Sequence, residues 1–240
     1  MARLAWADGT TTLVATPHQL GTYGRTRGDA IRAQTDRFRR RLEEAGIPLT
    51  VLPGAEIRVE PDLLPRLRRG DLLTLGDHRR HVLLELPHDV YLPLDRIVSE
   101  LSQAGIVAIL GHPERNAGLL ARPEILAPLV RAGCLLQITA GSLLGSFGRE
   151  VQQLAVRLVE QGLVHFVASD AHGANSRRPL LGKAYEATEQ LAGEETAMDL
   201  FCRNPGCVAA GQPLPGAGGR LAGTSRGGSV HRWFSRRKSA

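Results

Sequence analysis

Short apolar runs alternate with amphipathic segments along most of this chain. The runs are rich in Val, Ile and Leu, which is typical of buried strands. They lie at 11–16, 49–59, 81–86, 106–112, 134–142 and 164–172. The segments between them have helical periodicity, and in the segment 29–45 Asp29 is a predicted N-cap and Gly46 a predicted stop. This alternation predicts stacked βα units and therefore an α/β fold with a parallel sheet.

Polar side chains with metal-binding potential follow or end five of these apolar runs. They are His18, Glu56, Glu85, His112, Asp170 and His172. In a barrel of parallel strands, the residues at the carboxyl ends of the strands face one shared mouth. Nitrogen and oxygen donors that meet there would form a polynuclear metal site. The sequence therefore predicts metal-assisted hydrolysis.

Each of these residues also has a plainer interpretation. Glu56 and Glu85 lie in apolar stretches, where a carboxylate is costly unless it is paired or binds a metal, and Arg58 could pair with Glu56. Asp170 and His172 could be a capping aspartate and a loop histidine. His18 and His112 each adjoin a proline and could be ordinary turn residues. The metal hypothesis depends on all six occurring together at strand ends.

Arginines near two of the candidate ligands indicate an anionic substrate. Arg115 follows His112 by three residues, and Arg177 and Arg178 follow the Asp170 to His172 segment. Guanidinium groups suit bidentate contacts with phosphate. Carboxylates mixed with imidazoles suit Mn, Fe or Zn, and two or three such ions can lower the pKa of bound water. A phosphate ester is thus the predicted substrate class, although these arginines could simply face solvent.

The cysteines exclude one large class of phosphatases. Covalent cysteine catalysis there needs an arginine six residues after the cysteine, but Cys134, Cys202 and Cys207 are followed at that spacing by Ala140, Val208 and Pro213. Neither a Walker A sequence nor a GxSxG elbow occurs. The cysteines form no CxxC pair, which predicts a reducing cytoplasm as the location. No apolar run reaches the roughly 18–20 residues of a membrane span.

The positive charge of the chain is concentrated at its end. Of the 30 basic residues, six lie after Pro215, where no acidic residue occurs, so the preceding part has equal numbers of basic and acidic residues. This distribution does not favour a nucleic-acid-binding fold. We predict a disordered, low-complexity basic tail at 211–240. Its HRWFSRRK sequence could contact acidic lipid weakly, or the tail could be only a solubilising end.

At these residues the chain resembles the bacterial PHP (polymerase and histidinol phosphatase) superfamily, and within it the manganese-dependent tyrosine-protein phosphatases of capsule and exopolysaccharide operons. The resemblance is carried, in order, by TTLVATPH (11–18), LPGAEIRV (52–59), VLLELP (82–87), GHPERN (111–116), QITAGSLLGSFG (137–148) and HFVASDAHG (165–173). It covers roughly residues 1–210, which we expect to form the phosphatase domain. The fold it implies is a distorted TIM-like barrel of about seven strands.

The resemblance also implies roles for the candidate residues. Glu56 would bridge two manganese ions, Glu85 and His112 would complete one site and Asp170 the other, and His18 and His172 would hold a third ion. Arg115 and Arg177 would bind the phosphate, and a metal-activated hydroxide would attack phosphorus in line. Iron or zinc could replace manganese.

One departure from the family pattern concerns the start of the chain. Family members open with an HxH strand followed by PGxDDG, and neither occurs in this sequence. The first barrel strand and about three ligands are therefore expected to be missing, and we expect this polypeptide to bind metal weakly and to be poorly active. We favour a start codon placed too late, because the other six ligands are kept; a pseudoenzyme is the alternative.

The implied substrate is a phosphotyrosine protein, such as a bacterial tyrosine kinase that regulates polysaccharide synthesis or export. Two other functions remain open. A small-molecule phosphoesterase could use the same barrel, and a non-catalytic module could bind phosphopeptides without turnover. The sequence leaves the oligomeric state open.

Overall fold

The computed structural model describes residues 1–215, and its strands form parallel pairs throughout. A six-stranded sheet has the order β2-β4-β5-β6-β7-β8, and β1 pairs with β3. The strands are β1 (Thr12–Ala15), β2 (His18–Gln19), β3 (Thr50–Pro53), β4 (Glu56–Arg58), β5 (His81–Glu85), β6 (Val107–Gly111), β7 (Leu135–Thr139) and β8 (Phe166–Ala168). The α/β prediction with a parallel sheet is thus confirmed.

Eleven α-helices accompany these strands in the described part of the chain. They are α1 (Ala2–Ala7), α2 (Gly28–Glu44), α3 (Leu63–Arg69), α4 (Asp95–Gln103), α5 (Ala117–Ala121), α6 (Leu126–Arg131), α7 (Ala140–Leu143), α8 (Arg149–Glu160), α9 (Gly182–Ala192), α10 (Glu194–Met198) and α11 (Asn204–Ala209). Short 3₁₀ turns cover Leu75–Asp77, Pro113–Arg115 and Pro123–Ile125, and a π-helical turn covers Asp199–Arg203.

The chain bends twice where it passes from the β1–β3 pair into the large sheet. The chain breaks between β1 and β2 at Pro17, which has no N–H to donate, and between β3 and β4 at Gly54. A Cβ on Gly54 would lie 2.7 Å from Cγ1 of Val14, so only glycine permits this approach. Beyond the bends, His18 pairs in register with Glu56. The two bends therefore place candidate ligands side by side.

The sheet has two apolar faces that pack differently. One face, which includes Val82, Leu84 and Leu110, packs under the helices in the largest core cluster. The other face carries Leu83, Ile109, Leu135 and Phe166, which form a separate cluster closed by Val208 and Leu214. Because side chains alternate along a strand, Glu85 lies on the same face as Leu83. The apolar space over this second face is thus enclosed, and Glu85 lies at one end of it.

The N-cap predicted for α2 is wrong. The helix begins at Gly28 with Arg27 as its extended N-cap residue, and the Asp29 carboxylate accepts from the Ala30 N–H inside the first turn. Packing explains the shift, because a Cβ on Gly28 would meet the Gly70 carbonyl oxygen at 2.8 Å. The N-cap therefore lies two residues earlier than predicted, and the helix begins at the glycine that fits against the end of α3.

The predicted basic tail falls mostly on residues 216–240, which lie outside the described residues. Just before them, Leu214 is buried in the interior cluster, and the Gln212 N–H donates to the Cys207 carbonyl at 2.8 Å. Within residues 1–215, no helix combines the length and apolar character that a membrane crossing requires.

Candidate metal centre

Four of the predicted ligands meet at the carboxyl end of the large sheet. The His18 Nδ1 atom lies 3.5 Å from Glu56 Oε2 and 3.4 Å from Glu85 Oε2. The His112 Nε2 atom lies 3.0 Å from Glu56 Oε1 and 3.9 Å from Glu85 Oε1. Strands β2, β4 and β5 are neighbours, and His112 directly follows β6. The sheet order therefore brings the four side chains together, as the sequence predicted.

Burying these charged side chains costs free energy unless their charges are compensated by neighbouring groups. Glu56 and Glu85 are 4% and 6% exposed, and His112 is 6% exposed. The Arg58 alternative for Glu56 is wrong, because the charged contacts of Glu56 among residues 1–215 are with His18 and His112. The two carboxylates thus depend on imidazoles, which can act either as cations or as fellow ligands.

The geometry of His18 fits a metal ligand better than a hydrogen-bond donor. Its buried Nδ1 atom has no hydrogen-bond partner of acceptable geometry, although two carboxylates lie within 3.5 Å. Donor atoms of His18, Glu56 and Glu85 all lie within 4.8 Å of one another. Mixed imidazole and carboxylate donors suit Mn, Fe or Zn. The residues present therefore fit a bound transition metal.

The shifted pKa values report the same mutual dependence. Contact with Glu85 raises the pKa of His18 against the opposing effect of burial. Burial opposes the charged form of His112, yet its bond to Glu56 leaves the pKa raised. Burial pushes the pKa of Glu85 upward, but the interaction with His18 outweighs it and the pKa is lowered. The charged forms of His18 and Glu85 thus favour one another, and the carboxylate of Glu56 favours the charged form of His112.

Asp170 lies beside this group and is held by both predicted phosphate-binding arginines. Arg115 Nη1 donates to Asp170 Oδ2 at 2.7 Å, and Arg177 Nη2 donates to the same oxygen. The guanidinium carbon of Arg115 lies 4.3 Å from the ring centroid of Phe147, and that of Arg177 lies 5.9 Å from it. Phe147 thus provides a common aromatic surface for the two cations.

His172 lies at the rim of the group. Its side chain is 45% exposed, and Nδ1 contacts the Asp170 carbonyl oxygen at 3.0 Å. The His172 ring centroid is 6.3 Å from that of His18. Arg178 is exposed and has no ion pair among residues 1–215. The structure therefore brings four predicted ligands into contact, with Asp170 and His172 adjacent to them.

The backbone is strained at three of these positions. His112, Asp170 and Arg177 have φ values of +33°, +47° and +45°, in the left-handed region that side chains usually avoid. Such residues cost free energy and tend to cluster where side-chain placement matters for function. His112 follows β6 and Asp170 follows β8, so in both places the left-handed conformation turns the chain at a candidate ligand.

Sequence reasoning missed two residues that support the group. Glu114 is fully buried, and its Oε1 accepts from the Thr139 N–H at 2.9 Å and the Ser142 hydroxyl at 2.7 Å, while burial raises its pKa. Tyr23 stacks on His18 with ring centroids 4.8 Å apart. The position of Glu114 between His112 and Arg115 was a usable signal. Tyr23 lies in a glycine-rich loop and gave none.

Known proteins are similar to this chain over most of its length. The sequence profile of the family described as "Capsular polysaccharide synthesis, CpsB/CapC" matches residues 1–210. The tyrosine-protein phosphatase YwqE of Bacillus subtilis is 38% identical over 197 residues, which cover 81% of this chain and 77% of that protein. The putative tyrosine-protein phosphatase CapC of Staphylococcus aureus is 28% identical, with 85% and 80% covered.

A solved structure is also similar. It comes from work on crystal structures of YwqE from Bacillus subtilis and CpsB from Streptococcus pneumoniae, described as unique metal-dependent tyrosine phosphatases. The TM-score is 0.85 and the sequence identity 35%, with 89% of this chain and 86% of the solved chain covered.

Proposed function

This chain belongs to the CpsB/CapC family of capsular polysaccharide synthesis, and we propose that it removes phosphate from protein tyrosines with metal ions held by His18, Glu56, Glu85 and His112. The resemblance stated from the sequence motifs is confirmed. The chain is a metal-dependent tyrosine-protein phosphatase of capsule synthesis, as its relatives are. The residue roles, the metal and the physiological substrate are the proposed part.

The observation that supports the metal centre most strongly is the unsatisfied Nδ1 of His18 between two buried carboxylates. A nitrogen in that position without a hydrogen bond is well placed to share a cation with its neighbours. We include Asp170 and His172 in the ligand set because they adjoin His18 at the rim. Manganese is our first choice of metal and iron or zinc the alternatives, since the donors suit all three.

The bound ions would supply Lewis-acid activation of water and of phosphate oxygens near neutral pH. The protein's own contribution is to hold the four ligands at fixed positions on or directly after neighbouring strands of the large sheet. This arrangement requires no covalent intermediate. It is consistent with the absence of the cysteine motif of covalent phosphatases.

Arg115 and Arg177 would bind the substrate phosphate. Both guanidinium groups converge on Asp170 Oδ2, so a negatively charged oxygen already occupies the position between them. Each guanidinium has further N–H groups that can bind phosphate oxygens, and Phe147 limits how far the Arg115 group can turn. The arginines would stabilise negative charge on phosphorus during transfer to water.

We further propose that the fold is a distorted barrel of the PHP type, with residues 1–210 as the phosphatase domain and 211–240 as a tail whose first residues, through Leu214, pack against that domain. The approach of His172 to His18 supports a closed mouth, because these residues follow or open the two edge strands of the sheet. A cytoplasmic tyrosine kinase of polysaccharide export is the proposed substrate. Free cysteines are compatible with that compartment.

The test is hydrolysis of a phosphotyrosine peptide by the purified chain with manganese, with chelator and with Glu85→Gln. We expect slow turnover at high manganese concentration, because about three family ligands are missing, none with chelator, and a loss of at least about 100-fold in the variant. Histidinol phosphate is the comparison substrate, and preference for it would favour a small-molecule phosphoesterase. Peptide binding without chelator-sensitive turnover would refute the proposal and indicate a binding module.

A further inference from the structure

A second concave site lies next to the candidate metal centre. An open groove of about 450 Å³ is lined by the loop that follows β2, the start of α2 and the end of α3. Its lining includes Arg25, Arg27, Arg32 and Arg66, together with Asp29 and Asp71. We refer to these four arginines and the space between them as the arginine pocket. None of its residues belongs to the metal centre.

The acidic residues of this pocket are already engaged. The Asp29 carboxylate accepts from the Ala30 N–H at 2.9 Å and from Arg27 Nε at 3.2 Å. Asp71 Oδ2 accepts from Arg69, which lies outside the pocket, at 2.8 Å. The lining thus has four arginines against two aspartates, and the hydrogen bonds of both aspartates are with groups other than Arg25 and Arg66.

The four arginines are paired to different degrees, and Arg25 is the one without an ion pair among residues 1–215. Arg32 forms a two-point ion pair with Asp77, at 2.7 and 3.1 Å. By contrast, the nearest carboxylate to Arg66 is Asp62 at 3.7 Å, and Arg25 has no ion pair among residues 1–215. Positive charge thus accumulates in a concave site, which focuses the field on an incoming anion.

The walls of the pocket are fixed relative to each other. The Gly28 N–H donates to the Asp71 carbonyl at 3.1 Å. The buried Gln19 amide donates to the Thr26 and Asp71 carbonyls at 2.9 and 3.1 Å, and its oxygen accepts from the Leu73 N–H. Gln19 therefore joins the two walls, and it is the residue that directly follows His18 in β2.

The loop also leads directly from the metal centre to the pocket. Tyr23 stacks on His18, and the pocket lining begins at the next residue, Gly24. Consecutive Cα atoms are about 3.8 Å apart, and an extended peptide advances about 3.3 Å per residue. A peptide whose phosphotyrosine lies at the metal centre can therefore reach the pocket with a side chain a few residues away.

We propose that the arginine pocket binds an anionic side chain, either a carboxylate or a second phosphate, a few residues from the phosphotyrosine in the peptide substrate. The proposal rests on the phosphatase function above and adds a second point of recognition to it. Arg25, which has no ion pair among residues 1–215, the longer ion pair of Arg66 with Asp62, a concave site and fixed walls suit a charged group on a flexible chain. A substrate too small to span both sites gains nothing from the pocket.

The test compares Arg25→Glu/Arg66→Glu with wild type on three phosphotyrosine peptides: one with neutral flanks, one with flanking glutamates and one with a second phosphotyrosine. We expect kcat/KM for the two anionic peptides to fall about ten-fold through KM, with little change for the neutral peptide or for p-nitrophenyl phosphate. The two anionic peptides distinguish carboxylate from phosphate recognition. Anisotropy of the labelled peptides gives affinity without turnover.

The matched control is Arg37→Glu/Arg40→Glu, which changes net charge equally on exposed positions of α2 that do not line the pocket. Equal loss of anionic-peptide affinity in both double variants would overturn the inference, as would a wild type that binds all three peptides equally. Both results leave metal-dependent hydrolysis untouched. Failure of the wild type to hydrolyse p-nitrophenyl phosphate with manganese would instead overturn the function, and anisotropy would still test the pocket.

Discussion

His81 should make the protein less stable as the pH falls from 7 to 5. It begins β5 on the same strand face as Leu83 and Glu85, at the end of the interior opposite to the metal centre. The side chain is 1% exposed, and neither ring nitrogen has a hydrogen-bond partner. Burial, helped by the positive charges of Arg80 and His78, lowers the pKa of His81 to about 4.

The size of the effect follows from this pKa. The unfolded chain takes up a proton on His81 below about pH 6.5, whereas the folded chain does so only near the pKa of about 4. Between these values the unfolded state binds more protons, so stability falls as the pH falls. Linkage with these two pKa values gives a loss of about 2 kcal/mol between pH 7 and pH 5.

The measurement is urea unfolding followed by circular dichroism at both pH values, on wild type, His81→Leu and His81→Phe. Wild type should lose about 2 kcal/mol more than either variant on acidification, since neither replacement titrates. The variants should also be more stable at pH 7, because they bury no unsatisfied nitrogen. Equal losses in all three proteins would refute the assignment of a depressed pKa to His81.

Three further predictions concern the metal centre. Glu56→Gln should weaken manganese binding about 100-fold in calorimetric titration, because a shared anionic donor is lost; unchanged affinity would remove Glu56 from the ligand set. Gly111→Ala should weaken it about ten-fold, because the new Cβ would lie 2.9 Å from Glu56 Oε1, whereas Gly206→Ala, with no atom within 4 Å of its Cβ, should not. Phe147→Leu should raise KM for a phosphotyrosine peptide about three-fold through loss of the Arg115 contact while leaving manganese affinity alone, and an unchanged KM would contradict that role.

Much of the fold could be predicted because strand and helix periodicities are local signals. The apolar runs located the strands, and the Pro53–Gly54 bend was visible in the sequence. The last strand was predicted too long, since β8 ends at Ala168. Asp170 adopts a left-handed conformation there, and a sequence pattern that spans Ser169 to His172 does not reveal such a turn. The N-cap of α2 was mispredicted because packing against Gly70, distant in sequence, decides it.

The convergence of the four side chains could be predicted in outline, because parallel strands bring their carboxyl ends together, although His18 and Glu56 begin β2 and β4 rather than end them. The side-chain partners could not. Asp170 contacts Arg115, 55 residues away in sequence, and no local pattern specifies that pairing. The arginine pocket was likewise invisible, since Arg25 and Arg66 come from separate elements that only the folded chain brings together.

Charge compensation in the metal centre determines which substitutions can distinguish the loss of a metal ligand from unfolding of the protein. Glu56 and Glu85 are buried and compensated by His18 and His112, so removing a histidine would leave a buried carboxylate uncompensated and destabilise the fold itself. A loss of activity in His112→Ala would therefore confuse unfolding with loss of a ligand. Glutamine in place of either glutamate keeps the shape and removes a negative charge, which relieves the burial cost while weakening cation binding. Retained stability with lost metal affinity is thus the specific signature of a ligand, and the amide variants are the ones that can show it.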